Sequence, residues 1–214
     1  MKSNKVLFIG SHPDDIDLGC AICLHDHYLQ GDKIKTIVLT KGEKGNNGIP
    51  INRITEQSES LEILAPEAEN HFFDFPDTML QNSMNQIIDE IRIIIMSDIP
   101  DIVYIPSNQD FHQDHVVTYN CAMAVFNKID VQKIICYETP STMPGFMPNY
   151  FKICDLNKFK LKIKALKCHE SQMDKQYITY ESIYSIAKMR AAQARHHKEV
   201  AEAFEIIRFS EQIL

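Results

Sequence analysis

Ser11-His12-Pro13-Asp14-Asp15 follows the apolar run Val6-Leu7-Phe8-Ile9-Gly10 and precedes Leu18-Gly19-Cys20-Ala21-Ile22. A strand thus runs into a loop of one imidazole and two carboxylates before the chain turns helical, and such a loop is suited to hold a cation. His12 and Asp15 reach one ion from a single tight turn, Pro13 fixes the local backbone, and Asp14 between them is free to hold a water. The plainer alternative is that Asp14 or Asp15 only caps the helix.

A second cluster, Asp110-Phe111-His112-Gln113-Asp114-His115, follows Ile102-Val103-Tyr104-Ile105 at another change from strand to helix. In a parallel sheet both loops fall at the carboxyl ends of strands, where such folds place their sites. One imidazole of the second cluster would complete a set of two nitrogens and one carboxylate around zinc, with a position left for water. With His12, Asp15 and His115 as that set, the chemistry is hydrolysis by a metal-activated water. Asp14 is then the general base, and His112, one helical turn before His115, is the donor to an oxyanion. Asp114 is the partner that orients an imidazole. His25, His27, His71, His169, His196 and His197 have no matching acid nearby in sequence and read as surface or packing residues.

The elements that must position these groups alternate strand and helix along most of the chain, which predicts an α/β fold with a mainly parallel sheet. A helix over Asp17–Gln30 and a strand over Ile34–Leu39 lead into Thr40–Gly48, whose glycines and paired asparagines predict an irregular loop on the active side. Arg53–Leu64 has helical spacing. Arg53 in its first turn opposes the helix dipole and, taken alone, reads as a solvated surface residue. His71–Asp77 predicts a short third strand ending in a loop, Met84–Met96 a helix with isoleucines on one face, Asp101–Ile105 and Lys133–Tyr137 two more strands. A helix between them runs from the second cluster to about Asn127. Glu138–Tyr150, with three prolines, predicts a mobile or substrate-facing loop. Phe151–Cys154 predicts a last strand, and Leu156–Ser171 and Ile183–Glu205 predict helices.

The chain of 214 residues, 44% hydrophobic and 24% charged, suits one domain over 1–214. A formal charge of −7 without a long Lys/Arg block argues against nucleic acid as a partner. No apolar run approaches the length of a membrane span or of a signal segment, so a cytoplasmic protein is expected. Six cysteines are too few for a disulfide scaffold in a chain of this size. Cys20-Ala21-Ile22-Cys23 has redox spacing but lies inside an apolar helix, so buried thiols are expected in place of a reactive pair.

His-Pro-Asp-Asp after the first strand and His-x-Asp-His after a later one resemble the LmbE/PIG-L family of zinc-dependent N-acetylglucosaminyl deacetylases. The resemblance extends to Thr40-Lys41-Gly42-Glu43-Lys44-Gly45, Arg53 with Glu56, Phe75-Pro76-Asp77, Phe146-Met147-Pro148-Asn149, Lys164-Ala165-Leu166, His169-Glu170-Ser171-Gln172 and Ala201-Glu202-Ala203-Phe204-Glu205. It implies a single-domain, Rossmann-like, three-layer fold and removal of acetyl from an N-acetylglucosamine-type sugar or glycoconjugate. Zn2+ would be held by His12, Asp15 and His115, with Asp14 as base, His112 at the oxyanion and Arg53 near the substrate or the base. The chain departs from the pattern at Ile16-Asp17 and over Ala191-Ala192-Gln193-Ala194-Arg195-His196-His197, where members carry glutamate and glycines respectively. The partner implied is a small acetylated sugar, and a homo-oligomer is compatible. A nucleotide-binding Rossmann module is disfavoured because two carboxylates stand where glycines would cradle a pyrophosphate. A metal-binding or redox-sensing protein without catalysis would use the same ligands but has no use for Asp14.

Overall fold

The computed structural model describes residues 3–46, 52–196 and 199–211. Residues 47 and 48 of the expected glycine-rich loop lie outside them. The parallel half of the sheet is built from β1 (Lys5–Gly10), β2 (Lys33–Thr40), β3 (Glu69–Phe75), β4 (Ile102–Pro106) and β5 (Lys133–Tyr137). It is joined by helices α1 (Asp15–Leu29), α2 (Arg53–Leu64), α3 (Met84–Ile95) and α4 (Gln113–Phe126). The chain then adds β6 (Tyr150–Cys154), α5 (Leu156–Leu166), α6 (Tyr180–Gln193) and β7 (Val200–Phe209). Strand order is β3-β2-β1-β4-β5-β7-β6, with β7 antiparallel to both neighbours.

Residues alternate across β1 because both faces of a parallel sheet are covered. Val6 and Phe8 pack with Cys20, Leu24, Leu61, Leu64 and Ala165 on the face of α1, α2 and α5. Leu7 and Ile9 pack with Ile87, Ile91, Cys121 and Val125 on the face of α3 and α4. The result is the three-layer, mostly parallel arrangement expected. The order reverses at β1, which pairs with β2 on one side and β4 on the other. The crevice at that switch point opens between the loops that follow β1 and β4, so the two clusters meet there.

Two expected elements differ. The helix over Ile183–Glu205 ends at Gln193, and Ala201–Glu205 lies in β7. Ala and Glu favour helix, but Val200–Phe204 is buried from end to end between β5 and β6, and this tertiary pairing outweighs local propensity. The helix over Leu156–Ser171 stops at Leu166, after which Glu170–Gln172 forms a 3-10 turn. Within the expected irregular loop, Glu43–Asn46 is a short 3-10 turn. No helix among the described residues is long and apolar enough to cross a membrane. Cys20 and Cys23 are fully buried in α1, and burial pushes the Cys23 thiol up to about 12, so the pair is not poised for exchange.

The C-terminal strand also reaches into the helix that begins at the first cluster. The Glu202 carboxylate accepts from the backbone N–H groups of Ile22 (3.0 Å) and Cys23 (2.9 Å) inside α1. Lys162 donates to Glu202 Oε1 (2.8 Å) and to the Leu18 carbonyl (2.6 Å), and both side chains are buried. Removing one partner strands a buried charge. Glu202→Ala is expected to cost roughly 3–5 kcal/mol in urea unfolding. Asp155→Ala, which loses only the exposed cap bonds to Asn157 and Lys158, should cost about 1 kcal/mol. Equal urea midpoints for the two variants would contradict this account of the buried pair.

Candidate active site and metal centre

The loop after β1 is shaped by its own carboxylates. Asp15 Oδ2 accepts from the N–H groups of Ser11 (2.9 Å) and His12 (2.8 Å), which fixes the turn and aims Oδ1 at His115 Nε2, 3.1 Å away. Asp14 occupies the N-cap of α1 but makes no capping bond with its side chain. Its φ of 101° lies in the left-handed region, a strained setting for a residue with a Cβ. The plain capping alternative therefore does not describe Asp14, whose carboxylate is buried against Arg53 Nη2 at 3.2 Å.

The loop after β4 supplies the imidazoles. His112 is the N-cap of α4, and its Nδ1 accepts from the Asp114 N–H (3.2 Å). That bond leaves the proton of a neutral ring on Nε2. Burial, and then the neighbouring His12 and His115, hold the His112 pKa below the usual range, which keeps the ring neutral. His115 lies one turn on, with its Nδ1 3.0 Å from Asp110 Oδ2 and its Nε2 turned to Asp15. His12 places Nδ1 3.4 Å from Asp15 Oδ2, while its Nε2 faces Asp77 Oδ1 (3.2 Å) and Asp114 Oδ2 (3.3 Å).

Each of these two imidazoles has one nitrogen toward Asp15 and the other on a carboxylate. In metal sites such an outer partner fixes the ring and leaves the inner nitrogen as ligand. The donor set His12 Nδ1, Asp15 and His115 Nε2 is one that a zinc ion fits. The present geometry contains rival sets. Donor atoms of His12, His112 and His115 lie within 4.8 Å of one another, as do those of His12, Asp77 and Asp114. The last set is the weaker candidate, because Asp114 is fully buried away from the cavity lining and the oxygen it turns to His12 already holds the Thr78 N–H. The Asp15 set faces the cavity. Burial alone would lower the His115 imidazole, but Asp15 and Asp110 outweigh it and raise it to about 9. His12 is likewise raised well above its ordinary value, against burial, by Asp114, Asp15 and Asp77. Two imidazoles driven to hold protons by surrounding carboxylates mark a place that draws positive charge.

Arg53 is not a surface residue. It is buried, donates from Nη1 to the Gly42 carbonyl (3.0 Å) and from Nη2 to the Pro13 carbonyl (2.5 Å), and is bound to Asp14. This explains two glycines of the loop after β2. A Cβ on Gly42, itself at φ 63°, would stand 2.3 Å from Nη1, and one on Gly45 would stand 2.8 Å from it. Burial raises the Asp14 carboxyl, Arg53 lowers it and Asp15 raises it again, leaving it at about 6.

Several site residues had no role from sequence. Asp110 accepts from Thr139 Oγ1 (2.7 Å) and the His112 N–H (2.8 Å), and although burial opposes it, His115, Ser141 and Thr139 bring its pKa down to about 2. Asp77 faces His12 from the end of β3. His169, expected to be surface or packing, is fully buried 2.5 Å from Asp17. His27 is buried on Asp32 and the Tyr104 hydroxyl, away from the site. The spacing rule that looked for acids near each histidine in sequence missed Asp17, 152 positions from His169. Glu56 holds the turn that carries His169, accepting from Ser171 N (2.8 Å) and Oγ (2.6 Å).

These groups open on a cavity of about 480 Å³ lined by His12, Asp14, Asp15, Arg53, His112 and His115, together with Lys44, Thr78, Ser141, Gln172, Lys175 and Tyr177. Pro140 and Ser141 bring the loop after β5 to the cavity. That loop is tied down by Phe111 N to the Ser141 carbonyl, by Met143 N to the Gln109 carbonyl and by the buried Phe146. A larger cavity, about 490 Å³ at the opposite end of β1, has no comparable cluster. The lined cavity can accept a compact polar molecule, supply it with a base and a neutral donor, and hold a divalent cation between them.

Among curated proteins, the chain is 38% identical to the uncharacterized deacetylase YaiS of Escherichia coli (strain K12), over 79% of this chain and 92% of that one. It is 29% identical to the diacetylchitobiose deacetylase of Thermococcus kodakarensis, over 78% of this chain and 70% of that one. Among solved structures, the N,N'-diacetylchitobiose deacetylase of Pyrococcus horikoshii superposes with a TM-score of 0.80 at 22% identity, over 96% of this chain and 84% of that one. GalB, the 4-carboxy-2-hydroxymuconate hydratase of Pseudomonas putida KT2440, superposes with a TM-score of 0.75 at 20% identity, over 98% and 100%. The fold therefore carries more than one chemistry, and activity has to be argued from the site. Residues 7–126 match the family described as PIG-L, GlcNAc-PI de-N-acetylase, and the chain belongs to that family.

Proposed function

We propose that the protein is a zinc-dependent hydrolase that removes acetyl from the nitrogen of an N-acetylglucosamine-type sugar or glycoconjugate, releasing acetate and a free amine. The observation that carries the reading is the meeting of His12, Asp15 and His115 beside a buried Asp14 that neither caps its helix nor is needed as a ligand. Relatives named as deacetylases, one acting on diacetylchitobiose, support it. Its free cysteines, buried except for the half-buried Cys168, fit a reducing compartment, and we assign the protein to the cytoplasm.

His12, Asp15 and His115 would hold the ion. Zinc, when bound, supplies a Lewis acid that polarises the acetyl carbonyl and acidifies water. Asp14 takes the proton of the attacking water and returns it to the amine as the C–N bond breaks, since an amine leaves poorly unless protonated. Burial raises its pKa while Arg53 holds it down, and at about 6 it is mostly a carboxylate at neutral pH. Arg53 holds that carboxylate and the Pro13 carbonyl with Nη2 and the Gly42 carbonyl with Nη1, which sets the direction of the base. His112, neutral and with its Nε2–H free of the capping bond, donates to the oxyanion. Asp110 and Asp114 hold His115 and His12 from behind. The cavity of about 480 Å³ suits a mono- or disaccharide, with hydroxyl partners offered by Thr78, Ser141, Gln172 and Tyr177.

The test is a panel of N-acetylated sugars and their conjugates, incubated with zinc-loaded protein and followed by acetate and free-amine release. Release from none of them would leave the non-catalytic metal-binding alternative. His115→Ala is expected to lose most of its zinc to a mild chelator, because two protein ligands hold the ion poorly against water. Full occupancy after dialysis would refute the ligand set. Arg53→Lys is expected to keep its zinc and lose about 10-fold or more in turnover, since an ammonium cannot span Asp14 and two carbonyls at once. Unchanged turnover would remove Arg53 from the mechanism. Asp14→Asn should keep its zinc and lose roughly 10²-fold or more. Zinc lost together with activity would make Asp14 a ligand, and parental activity would refute the base.

A further inference from the structure

Behind Asp14 lies a chain of polar groups that the proposed reaction does not use. The Asp14 N–H donates to Gln57 Oε1 at 2.8 Å, the Gln57 Nε2 amide donates to Asp17 Oδ2 at 3.1 Å, and the same Asp17 oxygen is 2.5 Å from His169 Nε2. Gln57, Asp17 and His169 are fully buried, on α2, on α1 and before the 3-10 turn at Glu170–Gln172. Asp17 Oδ1 and His169 Nδ1 have no hydrogen-bond partner among the described residues. Unsatisfied polar atoms of this kind are costly, and a folded protein retains them where another requirement holds them in place.

The requirement is visible at Asp14. Its φ of 101° costs energy for an L-residue, and its backbone N–H, turned away from the α1 ladder, would be an orphan without Gln57. An amide side chain has two different ends. Only the orientation with oxygen toward Asp14 satisfies both neighbours, because Asp17 accepts and cannot donate as a carboxylate. His169 on the far side of Asp17 holds the carboxylate that chooses this orientation. Glu56, through Ser171, holds the turn that follows His169, and α2 carries Arg53 one turn before Gln57. Backbone and carboxylate of Asp14 are thus gripped by the same helix, through Gln57 and Arg53 respectively.

We infer that Gln57, oriented by Asp17 and His169, is a positioning residue for the Asp14 base: it holds Asp14 in its left-handed conformation and so aims the carboxylate at the reacting water. The inference rests on Asp14 acting as the base. It assigns a purpose to Asp17, which follows the departure from the family pattern at Ile16, and to His169, which does not line the cavity.

The test uses Gln57→Met, which keeps volume and removes both polar atoms, and Gln57→Glu, which as a protonated carboxyl against Asp17 keeps an oxygen for the Asp14 N–H and a donor for Asp17. Gln57→Met is expected to lower kcat by about 10- to 100-fold with KM and zinc content near parental, and Gln57→Glu to recover at least part of that loss. In an Asp14→Asn background Gln57→Met should have little further effect, because there is no base left to aim. A crystal structure of Gln57→Met is expected to show Asp14 released from positive φ or its carboxylate withdrawn from Arg53. Parental kcat, an undiminished loss in the Asp14→Asn background, or an unmoved Asp14 would each overturn the assignment. The structural arm reads the grip without turnover. Gln57 can therefore hold Asp14 even if Asp14→Asn proves active, and in that case it is the base reading that fails.

Discussion

Five carboxylates, Asp14, Asp15, Asp77, Asp110 and Asp114, are buried around two loops at the ends of adjacent parallel strands. Negative charge in that density is tolerated in a protein interior only where each group meets a donor or a cation. The neighbourhood follows from this constraint. Asp15 takes the N–H groups of its own loop, Asp77 and Asp114 take those of Lys44 and Thr78, Asp110 takes the Thr139 hydroxyl, and Asp14 takes Arg53. The imidazoles of His12 and His115 stand between them and are pushed toward the charged form. A divalent cation is the natural occupant of such a place, and the direction in which each ring points is set by which carboxylate lies behind it.

The two clusters that meet at the crevice were legible in the sequence because each is contiguous. Three or four informative residue types follow a recognisable strand, and the rule that parallel sheets gather their carboxyl-end loops at one edge brings the clusters together without further knowledge. Arg53 was misleading by itself, because a cation at a helix start looks unfavourable until the Pro13 and Gly42 carbonyls and Asp14 are known to surround it. Asp110 carried the right residue type in the right place, but nothing in its spacing tells which nitrogen of which histidine it meets. His169 and Asp17 were not legible at all, since their pairing depends on where α5 ends relative to α1, a matter of packing and not of periodicity.

The same distinction accounts for the error in the last third of the chain. Ala201-Glu202-Ala203 has helix-forming composition, and β7 is a strand because β5 and β6 present it with two unpaired edges. Gly42 and Gly45 belong to this class as well. Their identity is fixed by a guanidinium that approaches from another helix, so the short motif containing them records the shape of Arg53 more than any property of the loop itself.

The reach of Glu202 into α1 has a consequence for synthesis of the chain. The bonds from Ile22 and Cys23 to Glu202 close spans of about 180 residues, so the helix that begins at Asp15 gains them only once the chain through β7 has been made. Until then Lys162 lacks its counter-charge, and β5 presents a bare outer edge to whatever strand is at hand. Contacts this distant in sequence close late and slowly. The strands of the parallel half thus precede in sequence the strand that covers their outer edge, and β7 alone both pairs with β5 and supplies the Glu202 carboxylate to the N-terminal helix.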